Sequence, residues 1–115
     1  MRTKLILFRN ELKNKTIPKY KMIGIVSELL LSREIFQTNA ELEGFLADVC
    51  SLYFKSYVFR SRTLLVARTI REILNIKEDM DLKVQLYYFI QQLIEKYNEE
   101  DKSKNQFNGW IGKGV

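Results

Sequence analysis

Residues 57–74, YVFRSRTLLVARTIREIL, set four arginines into eighteen positions that otherwise read as the buried side of a helix. At about 100° per residue, Phe59, Val66, Ile70, Ile73 and Leu74 fall on one side of a helical wheel, and that side must face a core. Arg60, Arg68 and Arg71 fall on another, with Tyr57 and Ser61 in the same sector if the helix starts early; Arg62 points elsewhere, close to Lys55. A helix of this kind needs other helices to cover its apolar side, and something polar to meet its stripe of cations.

Outward from this stretch the pattern stays helical. Leu5, Phe8 and Leu12 recur at three- and four-residue spacing over residues 4–13, which fits a short amphipathic helix, although the run Leu5–Phe8 equally suits a strand. Pro18 marks a new start, because proline is tolerated in the first turn of a helix. Met22, Ile25, Val26, Leu29 and Leu30 then form one apolar face to about Ser32. Thr38-Asn39-Ala40-Glu41 has the spacing of a capping box, in which the threonine hydroxyl accepts from a helical amide and the glutamate reaches back. It opens a third helix with Leu42, Phe45, Leu46 and Val49 inward, followed by an aperiodic, extended connection over Ser51–Phe59. Ser61 caps a fourth helix through Leu74, Asn75 closes it, and Asp79 or Asp81 opens a fifth carrying Leu82, Leu86, Phe89, Ile90, Leu93 and Tyr97. The expected fold is all-α: a compact bundle of about five helices over residues 1–100, with residues 101–115 as an irregular, Gly-containing aromatic tail.

Composition narrows function by exclusion. At 115 residues the chain has room for one modest core. It has no histidine, which removes His-based acid/base catalysis, Ser-His and Cys-His nucleophile pairs and His-ligated metals. Glu28, Glu34, Glu41, Glu43, Asp48 and Glu72 are scattered without a constellation, and the five glycines (Gly24, Gly44 and three in the last seven residues) form no phosphate loop. No enzyme activity, metal, cofactor or small-molecule substrate is therefore expected. No stretch approaches the roughly 18 apolar residues of a membrane span, and MRTKLILFRNELKNK lacks the apolar run of a signal peptide. The lone Cys50, among Phe45, Leu46 and Val49, reads as a buried thiol in a reducing, cytoplasmic setting. Richness in Lys, Ile and Asn fits an AT-rich genome, bacterial or phage.

Residues 39–74 resemble the helix-extended-loop-helix modules of the SAP and LEM type. The matching residues are Glu41-Leu42 and Phe45-Leu46 in the first helix, then Ser61-Arg62, Leu65, Arg68 and Ile73 in the second. In SAP-type modules the start of the second helix and the loop before it contact nucleic-acid backbone, so the resemblance implicates Lys55, Arg60, Ser61, Arg62 and Arg68. The connection lacks the glycine at which such modules commonly turn, and the second helix is longer and more apolar.

Three readings of the arginines compete. With a net charge of +5, they suit phosphate, whose oxygens match the planar guanidinium fork, in a small DNA-associated or other nucleic-acid-binding accessory protein. They equally suit ion pairs with Glu41, Glu43, Asp48 or Glu72 on a solvated helix face. Arg and Tyr together also mark protein interfaces, so a helical adaptor or regulatory subunit, self-associating or bound to another protein, is the alternative. Tyr57 with Phe107, Trp110 and Ile111 of the tail are the partner-binding candidates. The discriminating feature is whether acids cover the stripe, or whether it lies open and continues into Lys13, Lys15, Lys19 and Lys21.

Overall fold

The computed structural model describes the backbone of residues 1–113 and the side chains of residues 1–100. Among the described residues the chain forms helices α1 (Arg2–Leu12), α2 (Lys19–Leu31), α3 (Glu41–Cys50), α4 (Arg62–Asn75) and α5 (Met80–Lys113), a 3-10 helix over Ser56–Arg60, and no strand. The all-helical expectation holds, and the LILF run is helical. Helix α5 is the spine: α1 and α3 pack along it, while α2 packs on α4 and the 3-10 turn packs on the start of α4.

The apolar periodicities place the core. Met22, Ile25, Val26, Leu29 and Leu30 of α2 are all buried, as are Leu42, Phe45, Leu46 and Val49 of α3. Leu82, Leu86, Ile90 and Ile94 are the buried residues of α5 among those described, with Phe89, Leu93 and Tyr97 half-buried against the same cluster. An aromatic trio locks the α2–α3 connection to the spine: Phe45 lies 5.2 Å from Phe36 and 4.7 Å from Phe89, ring centre to ring centre. These separations fall in the range that aromatic pairs favour. Beside it the Tyr97 hydroxyl donates to Glu34 Oε1 at 2.7 Å, and burial together with that bond pushes the phenol up to about 12.

Several local expectations need correction. No capping box forms: α3 begins at Glu41 without a side-chain cap, and Asn39 turns its amide away to partners in the chain after α3. The connection after α3 is extended only over residues 52–55; Ser56–Arg60 winds into the 3-10 turn. Helix α5 continues past Asn98 to Lys113 where irregular chain was expected, since residues 99–106 contain neither Gly nor Pro to stop it. The side chains of Phe107, Trp110 and Ile111 lie outside the described residues.

The buried face of α4 is also rotated from the expected one. Its buried residues are Arg62, Leu65, Thr69 and Ile73, whereas Leu74 is 59% exposed. A wheel weighted by hydrophobicity turns towards Leu74 because it gives no weight to the arginine and threonine that in fact face inward.

Two measurements check this core. Thr69 is fully buried and its hydroxyl has no hydrogen-bond partner among the described residues. Since a buried unsatisfied hydroxyl costs about 1–3 kcal/mol, Thr69→Val is expected to raise unfolding stability by about 1 kcal/mol in urea denaturation. Burial pushes the Cys50 thiol up to about 12, so almost no thiolate exists near neutrality. Ellman's reagent at about pH 8 is expected to leave the native thiol unmodified, and to label it fully once urea unfolds the chain.

Candidate nucleic-acid interface

Helix α3 ends at Ser51, which adopts the left-handed conformation (φ 55°, ψ 38°). That reverses the chain, and the Ser51 and Leu52 amides both donate back to the Leu46 carbonyl, Leu52 at 2.9 Å, closing a left-handed helix stop. The extended residues that follow alternate: Leu52 and Phe54 are half-buried against the core, while Tyr53 and Lys55 are exposed. Tyr53 is 81% exposed and Tyr57, in the 3-10 turn, 47%. Val58 anchors that turn in the core, and Ser61 then caps α4, its Oγ accepting from the Leu64 amide at 3.3 Å. The Ser61 expectation holds.

A groove of about 490 Å³ lies between this segment and α4, lined by Ser51, Leu52, Tyr53 and Phe54 on one side and by Arg68, Arg71, Glu72 and Asn75 on the other. Arg68 Nη2 donates to the Tyr57 hydroxyl at 3.3 Å, which ties α4 to the 3-10 turn and leaves most of its N–H groups uncommitted. Arg71 is exposed. The ion pairs Lys4–Glu28, Lys21–Glu11 and the Met1 ammonium with Glu34 leave Arg60, Arg68 and Arg71 without a carboxylate partner among the described residues. The acids of α3 pair with none of the three, although Glu43 lines a recess with Arg60.

The sequence-derived set is brought together only in part. Arg60 belongs to the 3-10 turn, not to α4, because the backbone is extended at Ser61 (φ −132°, ψ 121°) and breaks the wheel. It lines a second recess of about 300 Å³ with Ala40, Glu43, Ser56 and Phe59, and Phe54 separates that recess from the Arg68/Arg71 groove. Lys19 donates to the Ile76 carbonyl and Lys21 pairs with Glu11, so neither of these two lysines is free to extend the stripe, while Lys13 and Lys15 are exposed. Tyr53 is the residue that sequence reading missed; the alternation Leu52-in, Tyr53-out across a short extended segment was its one available signal.

Arg62 corrects the expectation most sharply. It is 7% exposed and its guanidinium is spent inside the fold: Nε donates to Asn39 Oδ1 at 3.0 Å and Nη1 to the Ser32 carbonyl at 3.4 Å. Burial, then the Arg33 charge, draw it below the ordinary arginine range, against the pull of Glu41. The Asn39 amide meanwhile donates to the Phe59 carbonyl at 2.9 Å. Arg62 is thus a structural cation beneath the surface that Arg68 and Arg71 present. Asn39→Ala removes both bonds and strips a buried charge of a partner, so a loss of about 3 kcal/mol is expected in chemical denaturation. Asn39→Asp, which keeps the acceptor and forfeits the donor, should lose distinctly less.

Among the described residues no helix is long and apolar enough to cross a membrane, and no group of three or more acidic or cysteine side chains is placed to hold a metal ion. No protein-family model, curated protein or solved structure matches this chain.

Proposed function

We propose that this chain is a small, non-enzymatic nucleic-acid-binding accessory protein that grips backbone phosphates with Arg68 and Arg71, supported by Arg60 and Lys55. The observation that carries the reading is that these arginines stand open beside exposed tyrosines. A guanidinium on a surface helix ordinarily finds a carboxylate or only water; here Arg68 leans on the Tyr57 hydroxyl, and neither it nor Arg71 has a carboxylate partner among the described residues. Arginine at such a place is a ready fork for the phosphate oxygens that a nucleic-acid backbone presents in a row. The order helix, extended segment, helix over residues 39–74 fits the SAP-like resemblance, although Arg62 is withdrawn from the surface that resemblance implies.

A protein-binding role is the second reading, favoured by Met80, Val84 and Tyr88, which are exposed at four-residue spacing along α5. Isolated exposed apolar side chains are ordinary, and this row carries no charge complement, so it ranks below the groove.

The test is fluorescence anisotropy with labelled oligonucleotides between about 50 and 200 mM salt, comparing the native chain with a variant carrying Arg60→Ala, Arg68→Ala and Arg71→Ala. Binding is expected to weaken steeply with salt. The variant should flatten the log–log slope by about 2 on single strands, if each arginine neutralises one phosphate. Equal slopes for the two proteins, or no binding by the native chain at the lower salt, would overturn the proposal.

A further inference from the structure

We infer that the strand held in the Arg68/Arg71 groove is an unpaired one, its base stacked on the Tyr53 ring. This rests on the nucleic-acid reading and adds to it the class of ligand.

The segment that carries Tyr53 is built to present the ring. Ser51 takes a left-handed backbone, unfavourable for a residue with a side chain, to turn the chain out of α3. Leu52 and Phe54 then pin the segment on both sides of Tyr53, so the exposed ring sits on a supported stretch of backbone. Among the described residues no ring contact covers Tyr53 or Tyr57, whereas Tyr87 and Tyr88 pack edge to face on each other. Tyr53 also lines the same groove as the two open arginines. An aromatic face beside a phosphate-binding fork is the pairing that holds a single strand, since every base has a π-face and every nucleotide a phosphate.

A duplex fits this surface poorly. Duplex bases hide their faces in the stack, and reading them from a groove calls for a projecting helix or ribbon. Helix α4 does not project: α2 covers one side and the 3-10 turn another. Glu72 and Asn75 line the same α4 wall of the groove as the two arginines. A carboxylate there repels phosphate, yet it accepts from the amino or imino groups that an unpaired base shows on its Watson–Crick edge. The layout of the groove is therefore stack on Tyr53, phosphate on Arg68 and Arg71, base edge towards Glu72 and Asn75.

The experiment titrates labelled oligothymidine, oligouridine and a duplex of equal length into the full chain and into Tyr53→Ala, Tyr53→Phe and the Arg68→Ala, Arg71→Ala pair. The single strands are expected to bind more tightly than the duplex at matched salt. Tyr53→Ala should weaken them about 5- to 150-fold, the range for losing one stacked base, with the salt slope unchanged. Tyr53→Phe should retain binding, and the arginine pair should flatten the slope. The two oligonucleotides show whether DNA or RNA is preferred. A duplex bound at least as tightly as the single strands, or single-strand binding indifferent to Tyr53→Ala, would overturn the single-strand inference while leaving phosphate binding intact. Absence of binding to all three would overturn both.

Discussion

A single half-buried side-chain amide organises the half of the molecule that carries the groove. Asn39 accepts from the Arg62 guanidinium and donates to the Phe59 carbonyl, while Arg62 reaches on to the Ser32 carbonyl. The end of α2, the α2–α3 connection, the 3-10 turn and the first residue of α4 therefore meet at one point. Burying a guanidinium without a carboxylate is expensive unless its donors are met. Two of its nitrogens are met here and Nη2 is not, so the arrangement is costly and its geometry correspondingly restrictive. The rotation of α4 follows. At about 100° per residue, Arg71 stands half a turn from Arg62, so drawing Arg62 inward sends Arg71 to solvent. The buried cation thereby aims the exposed one.

The other half of the groove depends on backbone geometry. A residue with positive φ at the end of α3 turns the chain back, and the bond from Leu52 to Leu46 holds the turn. Glycine is the usual occupant of such a position because a Cβ penalises it. A serine there means that the surrounding contacts of Leu52 and Phe54 over-determine the turn. Once it is made, the two-residue period of extended backbone dictates that Tyr53 faces away from the core, whatever its preference for burial.

What was legible in the sequence was whatever depends on neighbours within one turn of helix. The faces of α2 and α3 and the Ser61 cap were readable because spacing and a local hydroxyl suffice to set them. The role of Asn39 went unread because its partners lie 20 and 23 positions away; its neighbours Thr38 and Glu41 have the spacing of a capping box that does not form, and only tertiary contact reveals the competing use. Arg60 was grouped with Arg68 and Arg71 because a wheel assumes continuous helix, and the extended backbone at Ser61 breaks that assumption. The rotation of α4 was hidden for a related reason: a face containing Arg62 and Thr69 is apolar only once the atoms that satisfy the arginine are known.

Neither an exposed tyrosine nor an unpaired arginine singles out a site, since both are common on ordinary protein surfaces. The inference draws its strength from their coincidence. Folding alone has no use for an aromatic at position 53: the ring covers little of the core, and the adjacent Leu52 and Phe54 already anchor the segment. Nor does folding use a second cation facing the same groove as Arg68: Arg71 pairs with no carboxylate among the described residues, although Glu72 lines the groove. Two features that each cost the isolated chain something, placed on opposite walls of one groove, are reconciled by a ligand that is anionic along its backbone and aromatic between its charges. The protein-partner reading has no equivalent argument, because the row of Met80, Val84 and Tyr88 demands only an apolar surface and not this juxtaposition of charge with ring.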